Sequence, residues 1–288
     1  MLNIEKILLP VDFPVASFSL AHQAATLARH FNSEIVILHV MTARSHAAGV
    51  PEDSRELARW DLLAAITRQA QNQQDFSLGP EVEGLTIRCK LVKGDVAEAI
   101  VQTAQEEKAD LIMMPSYSFT FYQFLLGSVT AKVLHEAECP IWTGAHVKEP
   151  PIQELAIHNV LAAVEFGPRA EITVSWAAQM AAEFGAHLTL ANVTASVEFW
   201  GPGGIYINEG WKKELVGDAS EQMAKLQKDM GTKADVFIGS GDVPKALSQA
   251  AQQTKADLLV TGCYPYGGNL GIHGYGIICA VPIPVLSV

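Results

Sequence analysis

Two short stretches combine residue types that can grip a small polar ligand. Asp12 follows the apolar run 6–11 and precedes a helical pattern, so its carboxylate can accept hydrogen bonds from a ribose hydroxyl or another ligand donor. The same position suits capping of local backbone N–H groups, and the residue alone does not choose between the two. Gly127-Ser128-Val129-Thr130 opens another helical pattern. Exposed N–H groups at a positive helix end favour a phosphate there, and the two hydroxyls add donors. Plain Ser/Thr capping is the competing reading.

Other chemistry is poorly supplied. There is no GxxxxGK[ST] and no GxGxxG after a strand, so nucleotide hydrolysis or dinucleotide redox by those routes lacks its usual parts. The nine histidines form no HxxxH or HExxH, and His39 inside an apolar run reads as a satisfied core residue. His135 and Cys139 stand four apart, but Pro140 ends their helix, which disfavours a metal site. No GxSxG elbow is present. Phe119, Phe121, Tyr122 and Phe124 crowd one loop, to stack on a base or to plug a cleft; so apolar a segment favours the plug. The Gly-rich stretch 200–206 reads as a surface loop rather than a lid.

The bulk numbers narrow the class. The formal charge is −11 and no Lys/Arg cluster exists, which argues against nucleic-acid and anionic-membrane partners. Cys89, Cys139, Cys263 and Cys279 form no CxxC pair and suit a reducing compartment. The first residues lack the pattern of a secretory signal, and no apolar run nears the roughly 20 residues that cross a bilayer, so a soluble, cytoplasmic protein is expected.

These residues ride on a duplicated framework. Lys108-Ala109-Asp110-Leu111 recurs as Lys255-Ala256-Asp257-Leu258, and Gly94-Asp95-Val96 as Gly241-Asp242-Val243, both at an offset of 255 − 108 = 147. Residues 29–40 face 182–193 at an offset of 184 − 31 = 153. A period this long means whole domains, not solenoid units. The first copy predicts strands over 4–11, 34–41, 85–92, 110–114 and 141–145. Its helices begin after Ser17 as N-cap and stop at Asn32, then cover 51–74, run from the Asp95 cap to Glu107, and cover 127–137. The second copy predicts strands over 157–164, 187–193, 234–238, 257–262 and 284–288, and helices over 170–184, 210–230, 243–254 and 271–279. Strict β-α alternation forces parallel strands with helices on both faces. The fold class is therefore α/β, with two tandem Rossmann-like domains, each a five-stranded parallel sheet. The expected domains are 1–148 and 152–288, joined by a linker over 147–153 that carries Pro150-Pro151. A single continuous sheet would stand against this organisation. Ligands in such sheets bind where strand order reverses, here between 10–13 after strand 1 and the loop 115–127 after strand 4.

With these residues in place, the chain resembles the universal stress protein family in its tandem form, with an adenine nucleotide alpha hydrolase-like fold. KILLPVDF at 6–13, EIVILHV at 34–40, VKGDVAEAI at 92–100, KADLIMMP at 108–115 and LLGSVTAKVLHEAECPIW at 125–142 carry the likeness. It implies a non-enzymatic stress-response protein and ATP, with Mg, as candidate ligand. Pro10, Val11 and Asp12 would line the adenosine end, Val40 would lie beside the base, and Gly127, Ser128, Val129 and Thr130 would hold the phosphates. It further implies that the two copies pack as an intramolecular pseudo-dimer through their last strands; a homodimer is a second assembly it allows.

The chain departs from the family's Gly-x-x-Gly, nine residues, Gly-Ser/Thr pattern. Pro115 and Ser118 stand where the first copy's loop glycines belong, one residue short of the spacing to Gly127. In the second copy Gly262 fits, but Pro265, Gly271-Ile272 and Glu165 do not. Both sites are eroded, the second more. A scaffold without nucleotide is the alternative reading, and a slow ATP hydrolase the least favoured.

Overall fold

The computed structural model describes residues 2–11, 16–41, 84–116, 126–145, 155–195, 198–201, 204–207, 209–262 and 274–288. In the first half, strands β1 (Lys6–Pro10), β2 (Glu34–Met41), β3 (Thr86–Lys93), β4 (Leu111–Met114) and β5 (Ile141–Thr143) alternate with helices α1 (Ala16–Phe31), α2 (Val96–Glu107) and α3 (Ser128–Glu136). The second half has β6 (Asn159–Ala163), α4 (Ala170–Phe184), β7 (His187–Thr194), a hairpin of β8 (Glu198–Gly201) and β9 (Gly204–Ile207), then α5 (Glu209–Met230) and β10 (Asp235–Ser240). It closes with α6 (Val243–Thr254), β11 (Leu258–Thr261), α7 (Gly274–Ala280) and β12 (Val285–Ser287). The expected helix over 51–74 and the linker over 147–153 lie outside the described residues.

In the main sheet each half orders its five strands 3-2-1-4-5, and every pairing within a half is parallel. β5 and β12 then pair antiparallel, Leu286 opposite Trp142, and fuse the halves into one ten-stranded sheet. Each half keeps its five parallel strands, and the last strand of each joins the two sets into one continuous sheet, an arrangement the sequence pattern does not record. The reason is physical. Each half ends on a buried apolar edge strand whose backbone groups need partners, and an antiparallel neighbour supplies them. The Thr143 hydroxyl adds a bond to the Val285 carbonyl at 3.3 Å.

The central strands β1, β4, β6 and β11 are apolar because both faces are covered, whereas the edge strands β3 and β10 carry charged and exposed residues. Ile7, Leu9, Leu111, Met113, Val160 and Val260 point to one layer, with α1 and α4. Leu8, Ile112, Leu161 and Leu259 point to the other, with α2, α3, α6 and α7. Each layer runs across both halves. Trp142 is fully buried at the junction, where its indole N–H finds Gln23 Oε1 at 2.8 Å. A buried Trp needs such a partner for its polar end.

The repeated motifs turn out to be fold chemistry. Lys108 and Lys255 end α2 and α6 in the left-handed conformation (φ 54 and 50). The Asp110 carboxylate accepts the N–H groups of Glu5 and Lys6, each at 2.9 Å, and so pins the start of β1. Asp257 does the same for His158 and Asn159 at 2.8 and 2.9 Å. Gly94 and Gly241 turn at φ 149 and 99, which only glycine adopts easily. Asp95 and Asp242 then cap α2 and α6 through the N–H groups of Glu98 (3.1 Å) and Lys245 (3.0 Å).

Two local expectations are corrected. Ser17 lies inside the first turn of α1 rather than before it. Residues 200–201 and 204–206 lie in the antiparallel strands β8 and β9, Phe199 opposite Tyr206, rather than in a plain loop. Asn32 does close α1, at φ 57.

Candidate functional site

The order 3-2-1-4-5 puts the reversal of chain direction across the sheet between β1 and β4 in the first half, and between β6 and β11 in the second. At such a point consecutive crossovers leave to opposite sides, and a crevice opens beyond the carboxyl ends of the strands.

Pro10 ends β1 and Val11 follows it, both half-buried. The Val11 N–H donates to the Leu38 carbonyl at 2.9 Å, and His39 Nδ1 stands 3.3 Å from the Val11 carbonyl. A carbonyl only accepts, so that contact requires the proton on Nδ1. His39 is buried and so holds the crevice wall. Val40, half-buried, is the next residue of β2. Asp12 and the aromatic loop residues Phe119, Phe121, Tyr122 and Phe124 lie outside the described residues.

Across the crevice, Gly127 caps α3 with no side-chain hydrogen bond, and its N–H donates to the Ser116 carbonyl at 3.3 Å. Ser128 is exposed, Val129 half-buried. Thr130 is buried, and its hydroxyl donates to the Pro115 carbonyl at 3.0 Å. That bond ties the helix start to the end of β4. Lys132, one turn on, ion-pairs Asp95 and Glu98 of α2 at 3.2 Å each. Pro10, Val11 and Val40 thus stand at the carboxyl ends of β1 and β2, Gly127 and Ser128 at the start of α3, and the Thr130 hydroxyl is turned inward to Pro115. Sequence reasoning missed the carbonyls of Pro115 and Ser116, which fix the turn; main-chain acceptors leave no residue-type signal.

The second crevice repeats the wall with other residues. The Val164 N–H donates to the Ala191 carbonyl at 2.7 Å, and Asn192 Nδ2 donates to the Val164 carbonyl at 2.8 Å. Asn192 stands where His39 does, 192 − 39 = 153. Glu165 is exposed. A side chain on Gly262 would approach Thr173 Oγ1 to 3.1 Å. Residues 263–273 lie outside the described residues, and the helix that follows, α7, is two residues shorter than α3, 9 − 7 = 2.

Elsewhere the reactive groups are muted. Burial pushes the Cys139 thiol up to about 11, and raises those of Cys89 and Cys279 as well. Among the described residues no cluster of three His, Cys, Asp or Glu could hold a metal ion. No described helix is long and apolar enough to cross a membrane.

Comparison with known proteins agrees with this architecture. The model of the Universal stress protein family matches residues 3–143 and again 156–271, and the chain belongs to that family. A universal stress protein of Methanocaldococcus jannaschii is 29% identical over 149 residues, spanning 51% of this chain and 83% of its own. Another, of Methanothermobacter thermautotrophicus, is 41% identical over 109 residues, 38% of this chain and 74% of its own. The crystal structure of a universal stress protein from Archaeoglobus fulgidus superposes with a TM-score of 0.70 at 20% identity, covering 99% of this chain and 96% of that one. A Pseudomonas aeruginosa protein of unknown function does so at 0.68 and 16%, covering 99% and 92%. The two structures share the fold over essentially the whole chain; the sequence relatives span 51% and 38% of it.

Proposed function

We propose that this universal stress protein binds an adenine nucleotide, as its Mg complex, in the first-half crevice, and acts by binding rather than by turnover. One observation carries the reading. α2 and α6 have their first N–H groups capped by Asp95 and Asp242, whereas α3, at the topological switch point, starts on Gly127 with no side-chain cap. A helix start without a side-chain cap, beside an exposed serine, suits a phosphate. Gly127, Ser128 and Val129 take the phosphates in this reading, and Thr130 sets the turn through Pro115. Pro10, Val11 and Asp12 line the adenosine, with Val40 beside the base. The second crevice, with Glu165 at the aspartate position, is left empty.

A scaffold without ligand is the second reading. It is favoured by the internal commitment of the Gly127 N–H and the Thr130 hydroxyl.

Denaturing the purified protein and chromatographing the supernatant for adenine nucleotide, followed by titration with Mg-ATP, separates the two. Ser128→Asp is the decisive variant. An acid in the first helical turn supports α3 through the helix dipole but repels a phosphate. It is expected to unfold like wild type and to lose nucleotide. No released nucleotide and no binding heat for wild type would sink the binding reading and leave the scaffold.

A further inference from the structure

The junction between the halves is a pseudo-twofold contact with one lopsided place in it. Leu286 pairs with Trp142 across β12 and β5, so residues related by 286 − 142 = 144 are equivalent there. The same offset relates Tyr275 to Ala131, 275 − 131 = 144. Equivalent positions beside such an axis face each other, so a large side chain on one side needs a small one opposite. Tyr275 of α7 meets this condition against Ala131 of α3, and its hydroxyl donates to the Ala131 carbonyl at 3.1 Å. The Ala131 N–H in turn donates to the Gly127 carbonyl at 2.9 Å, the bond that closes the first turn of α3.

Leu126, the residue before Gly127, lies on the other side of the same turn. Leu126, Val129 and Tyr275 all pack on the apolar layer that holds Val133, Leu134, Ile277, Ile278 and Val281. One short helix of the second half therefore bonds the first half at Ala131 and shares an apolar layer with Leu126 and Val129, around Gly127-Ser128-Val129-Thr130.

We infer that Tyr275 is a positioning residue for the phosphate-binding turn of the opposite half, so that the second half, itself without a nucleotide, sets the geometry of the site in the first. This rests on the nucleotide reading of the first-half crevice. It gives the degenerate copy a task. It also makes the coupling one-way in structure, because the position equivalent to Tyr275 is an alanine with no hydroxyl to return the bond.

Tyr275→Phe in the full chain is the test, since it removes the hydroxyl and keeps the ring. Three readings are taken: the Kd for Mg-ATP, amide hydrogen exchange over 127–131, and the thermal midpoint. One lost hydrogen bond is expected to weaken ATP binding about 3- to 10-fold. Exchange over 127–131 should quicken, with the midpoint nearly unmoved. If wild type binds ATP, an unchanged Kd in Tyr275→Phe overturns the inference, even alongside a lower midpoint, because that would be a packing role only. If wild type binds no ATP, the nucleotide reading fails by itself, and exchange then decides: faster exchange over 127–131 upholds the positioning role, and unchanged exchange ends it.

Discussion

The two halves differ most at the base of the sheet, where the strands begin. In the first half Arg88 pairs with Glu34 at 2.9 Å and with Glu107, while Lys6 reaches both carboxylates at 3.5 and 3.6 Å. Lys90 adds Glu106 at 2.9 Å and Glu107 at 3.2 Å. In the second half, at offsets of 153 and 147, these positions hold Asn159, His187, Asp235, Phe237, Gln253 and Thr254. Among the described residues, the side-chain pair these positions make is the exposed one of His187 with Asp235 at 2.8 Å. A few residues away the backbone roles are kept: Asp110 and Asp257 pin a strand start, Lys108 and Lys255 end a helix, and Asp95 and Asp242 cap one. What holds strand register and helix ends is retained in both copies, and what sits on the surface has drifted. The motifs that reveal the duplication are therefore scaffolding, and they say little about the ligand.

The junction offers the largest test of that contrast. Trp142→Ala removes a fully buried ring at the twofold pair and should cost about 4 kcal/mol in denaturant unfolding, against about 3 kcal/mol for Leu286→Ala. Equal and small losses would mean that the halves fold without leaning on each other. Next come the strand-pinning carboxylates. Asp110→Ala and Asp257→Ala each remove two charge-assisted bonds to backbone N–H groups and should each cost about 2 kcal/mol. A difference beyond about 1 kcal/mol between them would break the claim of a kept role.

The ion network predicts a smaller effect with a definite pH window. Its bond from Arg88, ahead of that from Lys90, holds the Glu107 carboxyl down at about 2, and Arg88 likewise lowers Glu34. A carboxyl depressed on folding stabilises the protein above its unfolded value, near 4.5, and that stabilisation drains as pH falls toward 2. With solvent screening, Glu107→Gln should lose about 1 kcal/mol at pH 7 and show a shallower fall below pH 4.5 than wild type. Asp235→Asn, on the bare side, should stay within about 0.5 kcal/mol. The smallest effect belongs to the left-handed lysines. Lys108→Gly and Lys255→Gly should each gain about 0.5 kcal/mol, since glycine meets no Cβ penalty there.

Much of this fold was legible from pattern alone. Apolar runs of strand length separated by helical stripes placed every described strand of the main sheet, and the bounds of α4 and α6 came out as expected because Gly185 and Asp242 mark their ends. The hairpin was misjudged because Gly201-Pro202-Gly203-Gly204 hides two aromatic-rich strands behind loop residues. The continuous sheet was missed because edge pairing depends on what lies beside a strand, which no local pattern records. At the candidate site, residue types pointed to the crevice. They gave no hint that the Thr130 hydroxyl is spent on Pro115, a carbonyl 15 residues away, or that Tyr275 from the other copy grips the same helix.

The central claim is one nucleotide in the first half and none in the second. Calorimetric titration of the full chain with Mg-ATP measures it directly through stoichiometry. One site per chain, lost in Ser128→Asp, is the predicted result. Two sites per chain, binding that survives Ser128→Asp, or no binding at all would contradict it.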